Sequence, residues 1–205
     1  MQVVKDFPNL EDTVTFPYVV ANDIFDDEDI EDMIAYCDSI ELDLATLGTG
    51  HIDQHIRKSY AKMHYPNEDN AWIFEALISA ANRVNDHFYN YDLYGFEKFQ
   101  YTVYKGAGSH YSYHTDMLFG ERPLPKDLIT PRKLSFSLIL SNQDEDFTGG
   151  NFEFLFDNMD VPVVALPQKK GTLIAFPSFM LHRVAPLLSG VRKSIVFWAC
   201  GPKFK

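Results

Sequence analysis

His114-Thr115-Asp116 sets an imidazole and a carboxylate two residues apart. In an extended strand, residues i and i+2 point to the same face, so one short strand can aim both groups at one point. A second histidine from a distant strand would complete a set of two histidines and one carboxylate. That arrangement suits non-haem Fe(II) with open coordination positions. The pair alone is a weak signal, and the chain demonstrates it. His51-Ile52-Asp53 repeats the pattern after the loop Gly48-Thr49-Gly50, where a surface setting is expected. His55 and His64 read as ordinary surface or core histidines. The candidate third ligand is His182, in Phe179-Met180-Leu181-His182-Arg183-Val184. The alternative for His182 is a packed core histidine.

Ten residues further on, Arg192 and Ser194 share a strand face with Val196 and Trp198, which marks that face as buried. An inward-facing arginine is costly unless an anion pairs with it. Its guanidinium fork matches a carboxylate, and the Ser194 hydroxyl can add a bond. The partner is either the carboxylate of a substrate or cosubstrate, or an internal Asp or Glu. Tyr104 lies ten residues before His114. If strand parity carries across Gly106 and Gly108, it faces the same interior and can donate to the same carboxylate; a rim or core tyrosine is the alternative.

These side chains need a frame. From Gly95 onward the pattern has a period of two: Phe99, Tyr101 and Val103 alternate with Gln100, Thr102 and Tyr104. Further strands are expected at His110–Asp116, Lys133–Ser141, Asn151–Phe156, Val161–Ala165, Gly171–Phe176, Ser178–Val184 and Val191–Cys200, with a turn over Asp144–Gly150. Short strands without intervening helices predict an antiparallel barrel or sandwich. Before them, Val14–Val20 reads as an edge or irregular strand because of Pro17, and Ile56–Tyr65 as a strand ending before Pro66. Two helices are expected. One is capped by Asp26 and carries Ile30, Met33, Ile34 and Cys37 on one face. The other is capped by Asn70 and carries Ile73, Leu77, Ala81, Val84 and Phe88 through Asn90, covering a sheet. Met117–Arg132, with three prolines, reads as a long irregular loop that forms the mouth of a site together with Leu47–Ile56.

The composition narrows the function. The 205 residues, 46% hydrophobic and 15% aromatic, suffice for one sizeable core. A formal net charge of -11 argues against a generic phosphate-backbone binder. Cys37 and Cys200 form neither a disulfide framework nor a cysteine-rich zinc site, so a reducing, cytoplasmic setting is expected. The N-terminus lacks an apolar signal region, and no apolar run is long enough to span a membrane.

Together, the pieces from about residue 100 to 200 resemble the Fe(II)- and 2-oxoglutarate-dependent dioxygenases, in particular the prolyl 4-hydroxylase-like branch with its bacterial and phage members. The matching pieces are Tyr104-x-Gly106-x-Gly108, His114-Thr115-Asp116, Arg132-x-Leu134-Ser135, Gly149-Gly150, Gly171-x-x-x-x-Phe176, His182-Arg183-Val184-x-Pro186 and Gly190-x-Arg192-x-Ser194. The N-terminal half matches only loosely. The resemblance implies a mainly β fold with flanking α-helices around a double-stranded β-helix (jelly-roll) core. It is expected as a single domain over 1–205, with a helical N-terminal part at about 21–92 and the core at about 95–200. The resemblance further implies iron ligation by His114, Asp116 and His182. Arg192 and Tyr104 would hold the distal carboxylate of 2-oxoglutarate, with Ser194 as a weaker helper. O2 would be the second cosubstrate and ascorbate a reductant. Asp116 stands where halogenating relatives carry a small residue, which favours hydroxylation. The expected partner is a peptide, protein or small-molecule substrate, with prolyl hydroxylation the first expectation by analogy. A non-catalytic β-barrel binding module and a cupin-like metalloenzyme without 2-oxoglutarate are the competing classes.

Overall fold

The alternation that starts at Phe99 builds a sheet with two unlike faces, and the rest of the chain is arranged about that difference. The computed structural model describes residues 16–47, 50–117, 131–156 and 163–202. The strands are β1 (Val19–Ala21), β2 (Asp43–Leu44), β3 (Arg57–Lys58), β4 (Tyr60–His64), β5 (Gly95–Phe96), β6 (Phe99–Lys105), β7 (His110–His114), β8 (Arg132–Ile139), β9 (Phe147–Gly149), β10 (Phe152–Leu155), β11 (Val163–Leu166), β12 (Leu173–Pro177), β13 (His182–Val184) and β14 (Leu187–Cys200). The larger sheet runs β1-β12-β8-β14-β6-β4-β2, with β5 and β9 also on β14; the smaller runs β11-β10-β13-β7-β3. Strand pairs are antiparallel, and the chain passes repeatedly from one sheet to the other, as a double-stranded β-helix requires.

On one face of the larger sheet, Phe99, Tyr101, Leu134, Phe136, Leu138, Leu173, Ile195 and Phe197 form a continuous apolar layer. Helices α1 (Asp27–Asp38) and α2 (Ala71–Val84) cover it with Ile30, Met33 and Cys37, and with Ile73, Leu77, Ala81 and Val84. The opposite face carries Gln100, Thr102, Tyr104, Ser135, Ser137, Arg192, Ser194 and Trp198, all buried. It looks across a cleft toward the smaller sheet, where Phe152, Phe154 and Val184 pack with Ile139, Ile174 and Phe176.

Several expectations are corrected in detail. Asp26 does cap α1, accepting from the Asp29 N–H at 2.8 Å. Asn70 occupies the N-cap of α2 but makes no side-chain cap bond. Its Nδ2 donates instead to Tyr36 Oη at 3.1 Å and the Tyr65 carbonyl at 3.0 Å, tying α2 to its neighbours. The second helix does not run on as α-helix to Asn90. A π-helical turn, Asn85–Tyr89, follows Val84, and Asn90 ends it with φ 50°. Asn85 fixes this exit by accepting from Tyr91 N–H and donating to its carbonyl. The strand expected over Ile56–Tyr65 breaks at Ser59: β3 joins the smaller sheet and β4 the larger. Arg57 Nε donates to Ser59 Oγ at 3.0 Å across that break. The N-terminal part thus adds four strands to the two sheets besides its helices.

The turn over Asp144–Gly150 contains β9, which pairs with β14. Of Ser178–Val184, only His182–Val184 is strand, because Ser178 and Phe179 turn the chain, with the Met180 N–H donating to the Pro177 carbonyl at 2.9 Å. The strand from His110 stops at His114, short of Asp116. The first strand is Val19–Ala21, at a sheet edge on β12, and residues 14–15 lie outside the described residues. So do 118–130 of the expected mouth loop, and Gly48 and Thr49. Among the described residues no helix is long and apolar enough to cross a membrane.

Candidate active site

β7 and β13 are neighbours, with His182 directly opposite His114. His114 Nε2 lies 3.8 Å from Asp116 Oδ1, and His182 Nε2 lies 3.8 Å from Asp116 Oδ2. The three ligand atoms fall within 4.8 Å of one another. His114 Nδ1 is 2.8 Å from the Ser112 carbonyl, and His182 Nδ1 is 2.9 Å from the Met180 carbonyl. A carbonyl only accepts, so each Nδ1 carries the hydrogen and each Nε2 lone pair is left to face the cluster. His182 is also packed among rings, 4.6 Å from Phe176 and 5.6 Å from Phe152 between centroids. The phenylalanines fix the ring as in a packed core histidine, and Nε2 is still turned toward Asp116, where it could serve a metal.

Asp116 lies beyond the strand that was expected to carry it. Its N–H donates to the Ser178 carbonyl at 3.0 Å, so the turn after β12 holds it in place. Burial alone would raise its carboxyl. His182, His114, Arg132 and a hydrogen bond with Ser135 outweigh that and hold it down at about 2. Burial, followed by the nearby His182, holds the His114 imidazole down at about 3. A carboxylate beside a neutral imidazole is the deprotonated donor state that a divalent metal needs. The donor set of two imidazole nitrogens and one carboxylate oxygen on one side of a cleft fits a non-haem Fe(II) centre.

On the inward face of the larger sheet, Arg192 is 1% exposed and sits cross-strand from Tyr104. The internal ion pair that sequence left open is not found: among the described residues no carboxylate pairs with Arg192. Its Nε donates to Gln168 Oε1 at 2.6 Å and its Nη1 to Ser194 Oγ at 3.2 Å. Its Nη2 is buried with no hydrogen-bond partner among the described residues. Burial pushes the guanidinium down to about 10, so it still carries its charge at neutral pH. The Tyr104 ring lies 5.4 Å from the guanidinium carbon, and burial raises its phenol. Thr102 Oγ1 and Trp198 Nε1, on the same face, are also buried without hydrogen-bond partners among the described residues. A buried polar atom left unpaired is costly, so this cleft has the character of a site awaiting polar ligand atoms.

Sequence reasoning missed several contributors. Tyr111 stacks on His114 at 3.6 Å between centroids, because a register shift in the β13–β7 pairing brings both rings together. Arg57 lies 4.6 Å over the Tyr111 ring. Arg132, named in the sequence only as part of a matched piece and without a role, lies 3.8 Å over Trp198 and binds Glu97 through Nε and Nη2. Gln168 sits in the connection after β11, where no periodicity points to it. A bulge and a loop leave no regular spacing to read. The second His-x-Asp pair stays apart from the cluster: His51 is exposed, and Asp53 Oδ1 accepts from the His55 N–H.

Residues 99–200 match the model of the 2OG-Fe(II) oxygenase superfamily, and the chain belongs to that superfamily. A PKHD-type hydroxylase of Synechococcus sp. (strain CC9605) is 34% identical over 92 residues, covering 45% of this chain and 37% of that protein. The chain thus matches well under half the length of such curated relatives. Among solved structures, a Pseudomonas putida prolyl-4-hydroxylase superposes with a TM-score of 0.71 at 20% identity, covering 95% of this chain and 97% of the other. A Trichoplax adhaerens prolyl hydroxylase, in complex with a hypoxia inducible factor peptide fragment, gives 0.69 at 19% identity, covering 90% and 83%. At such identities these structures speak to the fold, and they match the jelly-roll read above.

Proposed function

We propose that this chain is an Fe(II)- and 2-oxoglutarate-dependent hydroxylase, coupling oxidative decarboxylation of 2-oxoglutarate to hydroxylation of a substrate C–H bond. The observation that carries the reading is Arg192: a buried cation with a free Nη2 and no carboxylate partner among the described residues, beside Tyr104, whose phenol feels the charges of both Arg192 and Asp116. In this reading His114, Asp116 and His182 hold the metal. Arg192 receives the distal carboxylate of 2-oxoglutarate, Tyr104 donates its phenol proton to it, and Ser194 steadies Nη1. The bound iron supplies the oxidation of a C–H bond by O2, which these side chains lack. The chain's own part is to orient the cosubstrate through Arg192, to hold both imidazoles through their Nδ1–H bonds, and to keep Asp116 ionised. Phe152, Phe154 and Phe176 keep water from the back of the His182 ring.

The proposed substrate is a prolyl residue of a peptide or protein. The support is analogy: the solved structures above are prolyl hydroxylases, one with a peptide. A net charge of -11 weighs against a nucleic acid. The test is an anaerobic Fe(II) titration with and without 2-oxoglutarate, read by the weak visible charge-transfer band, followed by succinate release in air with proline-containing peptides. A band that needs both components supports the reading. Fe(II) binding without a band would remove 2-oxoglutarate from it, and no Fe(II) binding would favour the binding module.

A further inference from the structure

We infer that Gln168 is a positioning residue for the cosubstrate, holding Arg192 in place while leaving its charge uncancelled. This rests on the 2-oxoglutarate reading of Arg192. A fully buried arginine must be oriented by acceptors, and the usual solution is a carboxylate, which also neutralises it. Here the acceptor at Nε is the neutral amide oxygen of Gln168, at 2.6 Å. Gln168 is itself 4% exposed and cannot turn its amide over freely: Nε2 donates to the Gly150 carbonyl at 2.9 Å. A flipped amide would point an oxygen at that carbonyl and an NH2 at the guanidinium.

The Gly150 carbonyl is in turn fixed. Gly149 and Gly150 have φ 69° and 60°, and a Cβ on Gly150 would meet Leu187 Cδ1 at 2.6 Å. The Gly150 N–H donates to the Pro186 carbonyl at 3.1 Å, and the Gln168 carbonyl accepts from the Gln143 N–H at 2.9 Å. The glycine pair that sequence singled out thus acquires a role: it presents a carbonyl to Gln168, and Gln168 presents an oxygen to Arg192. Of the five guanidinium N–H groups, one goes to Gln168 and one to Ser194, and the rest remain for a carboxylate with the full positive charge behind them.

The decisive variant is Gln168→Glu, which is nearly isosteric and sets a carboxylate against Nε. The expected result is an internal ion pair through one carboxylate oxygen, with the other set against the Gly150 carbonyl: a metal-free protein that folds but melts somewhat below the parent, and 2-oxoglutarate binding to the Mn(II)-loaded protein weakened by about tenfold or more, by calorimetry. Gln168→Met, which removes the bond and adds no charge, should weaken binding less than Gln168→Glu. If Gln168 merely filled space, Gln168→Glu would bind 2-oxoglutarate like the parent, and that result overturns the inference; so does Gln168→Met binding as weakly as Gln168→Glu. If the parent itself binds no 2-oxoglutarate, the reading of Arg192 fails instead, and the two failures are distinct.

Discussion

The two faces of β6, β8 and β14 are made from alternate residues of the same strands, yet they obey opposite rules. The helix-side face, from Phe99 and Tyr101 to Phe197, is an apolar layer sealed by α1 and α2. The cleft-side face is buried as deeply but carries Gln100, Thr102, Ser135, Ser137, Arg192 and Ser194. Of the four buried side-chain atoms without a partner among the described residues, three lie on the cleft side: Thr102 Oγ1, Arg192 Nη2 and Trp198 Nε1. One face therefore provides the stability, and the other holds polar groups ready for ligands at some cost to it.

That division can be broken from either side. The largest effect is expected at the candidate metal site of His114, Asp116 and His182. Asp116→Ala should abolish iron-dependent turnover while leaving the melting temperature of the metal-free protein near that of the parent; His182→Ala should abolish it too, with a lower melting temperature because the ring packs on Phe176. Normal turnover by either would refute the ligand assignment. On the sealed face, Phe136→Ala should cost about 3–5 kcal/mol of unfolding free energy in urea. Its Fe(II) affinity, measured where the protein is still folded, should not change. Arg192→Ala should weaken the use of 2-oxoglutarate by about 2–3 kcal/mol, seen as a raised KM for the cosubstrate; an unchanged KM would sink its role. Thr102→Val should sharpen the contrast, because deleting an unpaired buried hydroxyl is expected to raise stability by about 1 kcal/mol.

The smallest effect concerns His64, the one orphaned group on the sealed side among the described residues. It stacks on Phe99 at 4.7 Å, its Nε2 has no partner, and burial lowers its pKa from 6.5. The unfolded chain then binds a proton that the folded chain refuses. Stability is unaffected above about 6.5 and declines as pH falls below it. Urea denaturation at mildly acidic and neutral pH should show a shallower decline for His64→Phe than for the parent.

Where a residue sat on regular periodicity, sequence placed it well. The stripe Ile73, Leu77, Ala81, Val84 and the alternation from Phe99 are both as read, because each is set by burial of one face. Arg192 was legible because a charge on an inward face is expensive without a chemical reason; His114, Asp116 and His182, a weak signal by spacing alone, were joined by the family resemblance. What escaped depended on tertiary geometry. Asp116 is held by Ser178 rather than by its own strand, Tyr111 meets His114 through a register shift, and Gln168 approaches Arg192 from a loop. The split of β3 from β4 was hidden for the same reason, since one residue without any marked propensity sends the chain from one sheet to the other.

That residue, Ser59, acts as a hem stitching the two sheets at fixed length. Side chains along a strand alternate, so one extra residue beside Ser59 would either invert β4, carrying His64 from Phe99 to the cleft side, or shift Arg57 off the Tyr111 ring. Variation in chain length is thereby confined to other connections, and the margin by β3 and β4 can change in residue type but not in residue number.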